Sequence, residues 1–264
     1  MLFLIPPSET KAQGGLALSI AQVALTFGGL NTARERVFAA LSELCADAEA
    51  AAKALGLSSK QVGAIATNLA VQDAPIMPAI DRYDGTLYDA IHDRGLKGTP
   101  TAENRLSAAA KARAKEIVLI QSSLFGLIPA TDLIPEYRLS AGTWLPALRE
   151  AGETLASVWS VAHEPIWRRL ASGPIIDMRS KAYAELAPVP ADLDCYELDV
   201  DLEKADGTRE RMNHFNKKAK GQLLNAVLTA AKAPETIADL TDLALQKGLR
   251  LEVQGHRLTL VTFE

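Results

Sequence analysis

Basic side chains are concentrated in one stretch of this sequence, residues 209–231, which reads RERMNHFNKKAKGQLLNAVLTAA. Its first twelve residues contain five basic side chains and one acidic one, although the formal net charge of the chain is −4. The apolar residues that follow recur at helical spacing, so the lysines fall at or just before the first turn of a predicted helix. The helix dipole disfavours cations there, which raises the question of an anionic ligand. The five are Arg209, Arg211, Lys217, Lys218 and Lys220.

The arginines and the lysines of this stretch allow different explanations. Arg209 and Arg211 lie on a strand predicted to return along an acidic strand, so they can simply balance its carboxylates at the surface. The lysines lie beyond that hairpin. A helix N-terminus with added lysines suits a phosphate or carboxylate, and Gly221 would allow a close approach to the backbone. The alternative for the lysines is a solvated face.

Polar side chains also follow the first predicted strand, in IPPSETKAQGG at residues 5–15. Ser8, Glu9, Thr10 and Lys11 come directly after a Pro-Pro turn, and the carboxyl end of a strand is a common place for a site. Glu9 is a candidate acid or base, and Ser8 is a further catalytic candidate. The alternative is a surface loop whose hydroxyl groups bond to their own backbone.

A third candidate is PEYRLSAG at residues 135–142, which follows a Pro-rich loop. Arg138 could clamp a phosphate bidentately, or it could tie loop carbonyls together, and Tyr137 is a catalytic candidate. The chain has no G-x-S-x-G, H-E-x-x-H, P-loop or G-x-G-x-x-G motif. The sequence therefore names no nucleophile.

The composition is that of an ordinary globular chain of 264 residues, with 48% hydrophobic and 23% charged residues. A pI near 5.7 argues against a uniformly basic nucleic-acid coat but allows a local basic cleft. The four histidines are scattered, so we expect no metal site and no cofactor. Cys45 and Cys195 are expected to be reduced, structural thiols of a cytoplasmic protein. No signal peptide or run of 18 apolar residues is found, so no membrane partner is expected.

The predicted elements interleave strands and helices without strict βαβ order. Capping boxes at residues 32–35 and 58–61 open two helices that form a tight pair, and segment 122–142 has too many Pro and Gly residues for a regular element. The fold class predicted is α/β (or α+β) with a mixed sheet, as a single domain over residues 1–264. Strands are predicted at residues 2–5, 116–121, 174–178 and 193–203, with hairpins at 206–207 and 254–255. Helices are predicted at residues 32–55, 58–69, 101–115, 150–170, 180–186 and 234–247.

Four segments, in this order, resemble motifs of the YaaA family of peroxide stress proteins. They read FLIPPSETK (3–11), YDGTLYDAI (83–91), FGLIPATDLIPEYRLSAG (125–142) and HFNKKAKG (214–221). The resemblance implies a compact α/β fold peculiar to the family, with a positively charged cleft. It also implies DNA binding and a role in surviving hydrogen peroxide by limiting iron-driven DNA damage. The chain departs from the family pattern at Lys11, which follows a threonine rather than preceding it, and at Lys220, which replaces an arginine.

The resemblance further implies a helix-hairpin-helix unit, which would fall on residues 32–70. Its hairpin LGLSS (55–59) would present backbone N–H groups to phosphates, with Gly56 in the turn and Lys53 and Lys60 adding charge. The alternative is that the two helices are simply packed together.

Two functions from different classes follow from these observations. The first is a cytoplasmic protein of the peroxide stress response that binds duplex or structured DNA through phosphates. Its predicted binding residues are Lys217, Lys218, Lys220, Arg138, Lys11, Gly56 and Lys60. The second is an enzyme acting on a small phosphorylated or nucleotide-like ligand. Its pocket would be formed by Ser8, Glu9, Lys11, Tyr137, Arg138 and Lys217.

Overall fold

A computed structural model describes residues 1–93, 106–170, 173–211 and 216–263. The first five residues of the predicted helix 101–115 lie outside these ranges, as do His214 and Phe215 of the HFNKKAKG segment. The described strands and helices interleave, and the main sheet is mixed. The predicted α/β class with a mixed sheet is therefore confirmed.

The strands of the described residues are β1 (Leu2–Ile5), β2 (Met77–Pro78), β3 (Val118–Ser122), β4 (Gly126–Pro129), β5 (Leu133–Ile134), β6 (Ile175–Asp177), β7 (Cys195–Glu203), β8 (Arg209–Arg211), β9 (Arg250–Gln254) and β10 (Arg257–Phe263). Eight of these strands form the main sheet, and two short ones, β2 and β5, form a separate pair. The spatial order of the main sheet is β4-β3-β1-β6-β7-β10-β9, with β8 paired to β7.

Five neighbouring strands of this sheet, β3, β1, β6, β7 and β10, run parallel. Numbered by their sequence among themselves, their spatial order is 2-1-3-4-5, so the direction of winding reverses between β1 and β6. In open α/β sheets, ligands bind beyond the carboxyl ends of the strands at such a reversal. The residues just after β1 and just after β6 occupy that place here.

The helices of the described residues are α1 (Asn31–Ala46), α2 (Ala48–Ala54), α3 (Gly63–Leu69), α4 (Ala79–Arg82), α5 (Thr86–Ile91), α6 (Ala108–Ile117), α7 (Pro146–Glu150), α8 (Leu155–Leu170), α9 (Lys181–Leu186), α10 (Asn216–Thr229) and α11 (Ile237–Gln246). In one packed group α1 contacts α2, α3, α7 and α8, and α8 also contacts α9. In the other, α10 contacts α5, α6 and α11, while α4 packs against β2 and β5. Strands β1 and β3 are buried along almost their whole length, as expected of parallel strands covered on both faces. None of the described helices is long and apolar enough to cross a membrane.

The N-terminal helix pair differs from its prediction. The helix predicted at residues 32–55 is two helices, because Asp47 adopts an extended conformation and its carboxylate accepts from the N–H groups of Glu49 and Ala50, both at 3.0 Å. The predicted capping box at residues 32–35 is wrong, since α1 begins at Asn31 without a side-chain cap. Gln61 does reach back to Ser58, yet α3 begins only at residue 63.

Two further boundaries differ because tertiary pairing overrides the local pattern. Segment 122–142, predicted to be irregular, contains β4 and β5. Gly126 starts β4 with a φ of +67°, and a Cβ added there would lie 2.6 Å from the Trp159 ring. The helix predicted at residues 150–170 is α8, which begins only at Leu155, while strands β1 and β7 lie where the sequence predicts them.

Candidate functional site

The turn that follows β1 is anchored to the segment holding α4 and α5. The Tyr88 hydroxyl donates to the carbonyl of Pro6 at 2.9 Å, and the N–H of Asp84 donates to the carbonyl of Thr10 at 3.0 Å. Lys11 forms an isolated antiparallel bridge with Tyr83. Three backbone attachments within six residues fix the course of the turn.

Gly85 and Arg82 also contact the segment that follows β1. A Cβ added at Gly85 would lie 3.4 Å from the Ser8 hydroxyl, so Ser8 packs beside the start of α5. The buried guanidinium of Arg82 donates to the carbonyls of Gly14 at 2.9 Å, Pro75 at 2.7 Å and Ile134 at 3.1 Å. Arg82 thus performs the tying of loop carbonyls that the sequence allowed for Arg138.

Arg138 instead contacts the N-terminal turn. Its guanidinium donates to the Glu9 carboxylate at 2.7 Å, with the Arg138 side chain 19% exposed and that of Glu9 58% exposed. Asn68 holds the Arg138 backbone on both sides, accepting from its N–H at 2.7 Å and donating to its carbonyl at 2.8 Å. The structure therefore brings together two segments that the sequence treats separately.

The amine of Lys11 lies over aromatic rings rather than beside a carboxylate. Its Nζ is 4.0 Å from the centre of the Tyr137 ring and donates to the Glu9 carbonyl at 3.3 Å. Among the described residues no carboxylate lies within ion-pair distance of it. Burial lowers the pKa of Lys11 to about 7, and the positive charge of Arg138 lowers it further against the opposing pull of Glu9 and Glu136.

Beneath this amine runs a chain of buried hydroxyl groups. The Tyr137 hydroxyl lies 2.8 Å from that of Tyr83 and 2.8 Å from that of Ser122. Ser122 Oγ already accepts from the N–H groups of Leu124 and Phe125, so its own hydrogen is left to donate to Tyr137. Burial raises the pKa of Tyr137 and raises that of Tyr83 well above its usual value. Both phenols therefore stay protonated at neutral pH. We call Glu9, Lys11, Tyr83, Ser122, Tyr137 and Arg138 the Lys11 cluster.

A cleft of about 740 Å³ opens beyond the carboxyl end of β6. Lys220 lines it, yet its side chain is directed into the protein, because Nζ donates to the carbonyl of Met178 at 3.1 Å and the residue is 8% exposed. Burial lowers the pKa of Lys220, against the attraction of Asp199 and Asp177. Arg179, also in the cleft wall, binds Asp177 at 2.6 Å. Both cations are largely used by the protein itself.

The arginines of the return strand are bound to acids. Arg209 donates to Glu203 at 2.9 Å and to Glu252 at 2.7 Å, and Arg211 donates to Asp199 at 2.7 Å. These contacts agree with the explanation by which the arginines balance the acidic strand.

The remaining two cations of this stretch stand in the first turn of α10. Lys217 and Lys218 are exposed, and within the described part of the chain no carboxylate pairs with them. The sequence predicts that Gly221 allows a ligand to approach the helix backbone, and the structure gives this glycine a different role. A Cβ there would overlap the Leu87 carbonyl and lie 2.6 Å from the Ala90 Cβ, so the group that approaches this glycine is α5 and not a ligand.

A protein-family model identifies the family of this chain. The family model described as peroxide stress protein YaaA matches residues 1–253. The chain belongs to that family. Its membership supports a role in the peroxide stress response.

Two curated relatives of this YaaA-family chain extend over almost its full length. A UPF0246 protein of Corynebacterium efficiens is 36% identical over 263 residues, which is 98% of each chain. A UPF0246 protein of Streptomyces coelicolor is 36% identical over 257 residues, covering 97% of this chain and 93% of the relative.

Three of the four segments that resemble YaaA motifs meet in the Lys11 cluster. The first supplies Glu9 and Lys11, the second supplies Tyr83, and the third supplies Tyr137 and Arg138. The fourth reaches the neighbouring cleft through Lys220. Spacing in the sequence does not reveal this convergence, because it depends on the order of the strands.

The helix pair of this YaaA-family chain contacts the site through Asn68, near the end of α3. Gly56, with a φ of +62°, and the exposed Lys60 lie in the turns before α3 begins. The helix-hairpin-helix assignment stays a prediction. The same holds for the expected lack of a metal site, although among the described residues no three His, Cys, Asp or Glu side chains group together as metal ligands would.

Several residues of the site are not predicted from the sequence. The Pro and Gly content of segment 122–142 predicts an irregular loop that begins at Ser122, yet Ser122 closes β3 and positions Tyr137. Tyr83 enters the sequence analysis only within a motif, and no local pattern indicates the role of Arg82 beside it. For Ser122 the sequence does carry a signal, because it closely follows the apolar run at residues 117–120, at the end of a predicted strand.

Proposed function

We propose that this protein of the peroxide stress response binds duplex or structured DNA through phosphate contacts. The observation that carries the proposal is the pair Lys217 and Lys218, two exposed ammonium groups that the described protein leaves unpaired in the first turn of α10. The first backbone N–H groups of a helix have no partner within it. Lysines beside them suit a phosphate oxygen.

The charges around Lys217 and Lys218 favour contact with the DNA phosphate backbone rather than with the DNA bases. The nearby Arg209 and Arg211 are held by carboxylates, so they are not free to read base edges. Lysine binds phosphate as a point charge without fixed geometry. With a net charge of −4, attraction to DNA must come from this local patch.

Such binding would connect to peroxide damage through the cations that surround DNA. A protein that neutralises phosphates releases the counterions condensed on them. Iron ions held along the backbone would be displaced in the same way. Radicals formed from peroxide would then arise farther from the bases and sugars, which limits iron-driven damage.

The test is fluorescence anisotropy of a short duplex and a duplex with an unpaired bubble, across a salt series. The test variant is Lys217→Ala with Lys218→Ala, and the matched control is Lys232→Ala with Lys247→Ala, which removes the same two charges from exposed positions beyond α10. We expect the test variant to reduce the slope of log K against log salt by about two, as for two lost phosphate contacts. Equal effects of both variants, or binding by the wild type that is absent or insensitive to salt, would overturn the proposal.

A second candidate function is chemistry on a small phosphorylated or nucleotide-like ligand at the Lys11 cluster. The specific observation in its favour is that Glu9 contacts Arg138, whereas a Glu9 far from Arg138 would have excluded it. A lysine with a strongly lowered pKa at a strand end is also typical of functional sites. Nucleotides and sugar phosphates should raise the melting temperature of the wild type but not of Arg138→Gln. A screen in which none does so would remove this candidate.

We also propose that the protein acts in the cytoplasm. The support is that Cys45 and Cys195 are free thiols, and that burial raises the pKa of Cys195 to about 12, which keeps that thiol protonated and unreactive. Cell fractionation with an antibody to the protein tests this, and recovery with the envelope fraction would contradict it.

A further inference from the structure

We propose that Lys11 is a reactive amine that forms an imine with the carbonyl carbon of a phosphorylated sugar. The phosphate part of this substrate rests on the second candidate function proposed above, a phosphorylated ligand bound at the Lys11 cluster. The imine part rests on the surroundings of Lys11 alone, so the two can fail separately.

Among the described residues, no carboxylate lies close enough to Lys11 to hold it as an ammonium ion. The only acid on its turn, Glu9, is bound by Arg138 at 2.7 Å. The amine donates instead to a neutral carbonyl and lies 4.0 Å above the Tyr137 ring. A lysine that is desolvated and close to another cation is activated as a nucleophile towards carbonyl compounds. With a pKa of about 7, roughly half of the molecules carry a neutral amine at neutral pH.

The position of Lys11 in the fold also suits a reactive amine. Lys11 follows β1, at the point where the order of the parallel strands reverses. Its bridge to Tyr83 and the bond from Asp84 to Thr10 hold the turn in place. Lys11 is only partly buried, so part of the residue faces solvent at this end of the strand.

The hydroxyl groups beneath the amine do not compete for its proton. Burial raises the pKa of Tyr83 and Tyr137, so no phenolate forms that would keep Lys11 charged. Their hydrogen-bond chain ends at Ser122, which is fixed by backbone N–H groups. The ring face under Lys11 is thereby rigid and neutral.

The proposed step is balanced without a further reactant. The lone pair of the neutral Lys11 nitrogen attacks the carbonyl carbon, and the C=O pair moves to oxygen. Two protons leave nitrogen and join that oxygen, which departs as water while the C=N bond closes. Solvent water carries these protons, because no described carboxylate lies within ion-pair distance of the amine. Amine and aldehyde become imine and water.

The phosphorylated sugar carbonyl that reacts with Lys11 can come from two sources. One is a free sugar phosphate in its open-chain form, and the other is an abasic position in DNA, whose sugar carries an aldehyde between two phosphates. The DNA source also requires that the duplex be bound, so it depends on the exposed lysines of α10. The free sugar phosphate does not.

The test is reductive trapping at pH 7 with sodium cyanoborohydride, using either 2-deoxyribose 5-phosphate or a duplex with one abasic position, followed by digestion and mass spectrometry. Lys232, an exposed lysine that pairs with Glu235, is the reference inside the same molecule. We expect at least about tenfold more label on Lys11 than on Lys232, because a far larger fraction of Lys11 is neutral. Lys11→Arg should lose this label.

The outcomes separate the inference from the proposed function. Labelling of Lys11 by free sugar phosphate without any binding of DNA would support the imine and overturn DNA as its source. Salt-dependent DNA binding with no more label on Lys11 than on Lys232 would overturn the inference and leave the proposed function standing. Equal labelling by unphosphorylated 2-deoxyribose would overturn the phosphate requirement.

Discussion

The Glu9 carboxylate lies 2.7 Å from the Arg138 guanidinium, although 129 positions of the chain separate them. This contact acts on Lys11 in two ways. The positive charge of Arg138 repels the Lys11 ammonium, and the same guanidinium occupies the carboxylate that would otherwise stabilise it. The protonation state of Lys11 therefore depends on the contact between Glu9 and Arg138, in which the Lys11 amine takes no part.

Replacing Arg138 by glutamine should raise the pKa of Lys11 from about 7 part of the way towards its usual 10.5. The rise is partial because burial, the larger cause, remains. Reductive methylation with ¹³C-formaldehyde and NMR titration of the methylated lysine measures this pKa, and Lys11→Arg assigns the signal. Arg36→Gln removes another arginine that pairs with a glutamate, Glu153, and should leave the pKa unchanged. An unchanged pKa in Arg138→Gln would show that Arg138 does not set it.

Lys11→Met should be more stable than the wild type at low pH, and this advantage should shrink as the pH rises. The folded pKa of about 7 is below the 10.5 of the unfolded chain, so between these values the unfolded wild type binds more protons and its folding becomes more favourable with rising pH. We expect the advantage at pH 6 to exceed that at pH 9.5 by about 3 kcal/mol. Urea unfolding at pH 6 and pH 9.5 measures it, and a difference independent of pH would contradict the assigned pKa.

Much of the fold could be predicted from local sequence pattern. Strand β1 is a short apolar run ended by prolines, and β7 alternates apolar and acidic residues over nine positions. Both signals are complete within one segment. The break at Asp47 inside a helical pattern was missed, because a single capping carboxylate outweighed good helix propensity on either side.

The candidate site could be predicted only in parts. The sequence singled out Lys11, Arg138 and Lys220, but it could not show that Arg138 contacts Glu9 or that Lys220 is turned into the cleft wall. Those relations depend on which strands lie side by side, and strand order is a long-range property. Basic residue type alone also cannot distinguish an exposed lysine such as Lys217 from a buried one.

Gly221→Ala should destabilise the protein by about 3 kcal/mol or more, because the added methyl group would overlap the Leu87 carbonyl on α5. The matched control is Gly63→Ala, at the start of α3, where an added Cβ meets nothing within 4 Å. That variant should be neutral or more stable by up to about 1 kcal/mol. Denaturant unfolding of both variants measures the contrast. Equal stabilities would mean that α10 and α5 are not in close contact.

His163 should make the protein sensitive to acid. It is fully buried, accepts from the N–H of Leu127 through Nε2 at 2.9 Å and faces the Trp159 carbonyl through Nδ1 at 2.6 Å, so the neutral ring fits both bonds. Burial lowers its pKa from 6.5 to about 4. Between these values the unfolded chain binds the proton first, so the free energy of unfolding should fall as the pH drops from 6.5 to 4, by about 3 kcal/mol in total. His163→Gln, which does not titrate, should lack this contribution. Urea unfolding of both proteins at pH 7, 5.5 and 4 gives the difference at each pH, and a difference that stays constant would show that His163 does not carry the acid sensitivity.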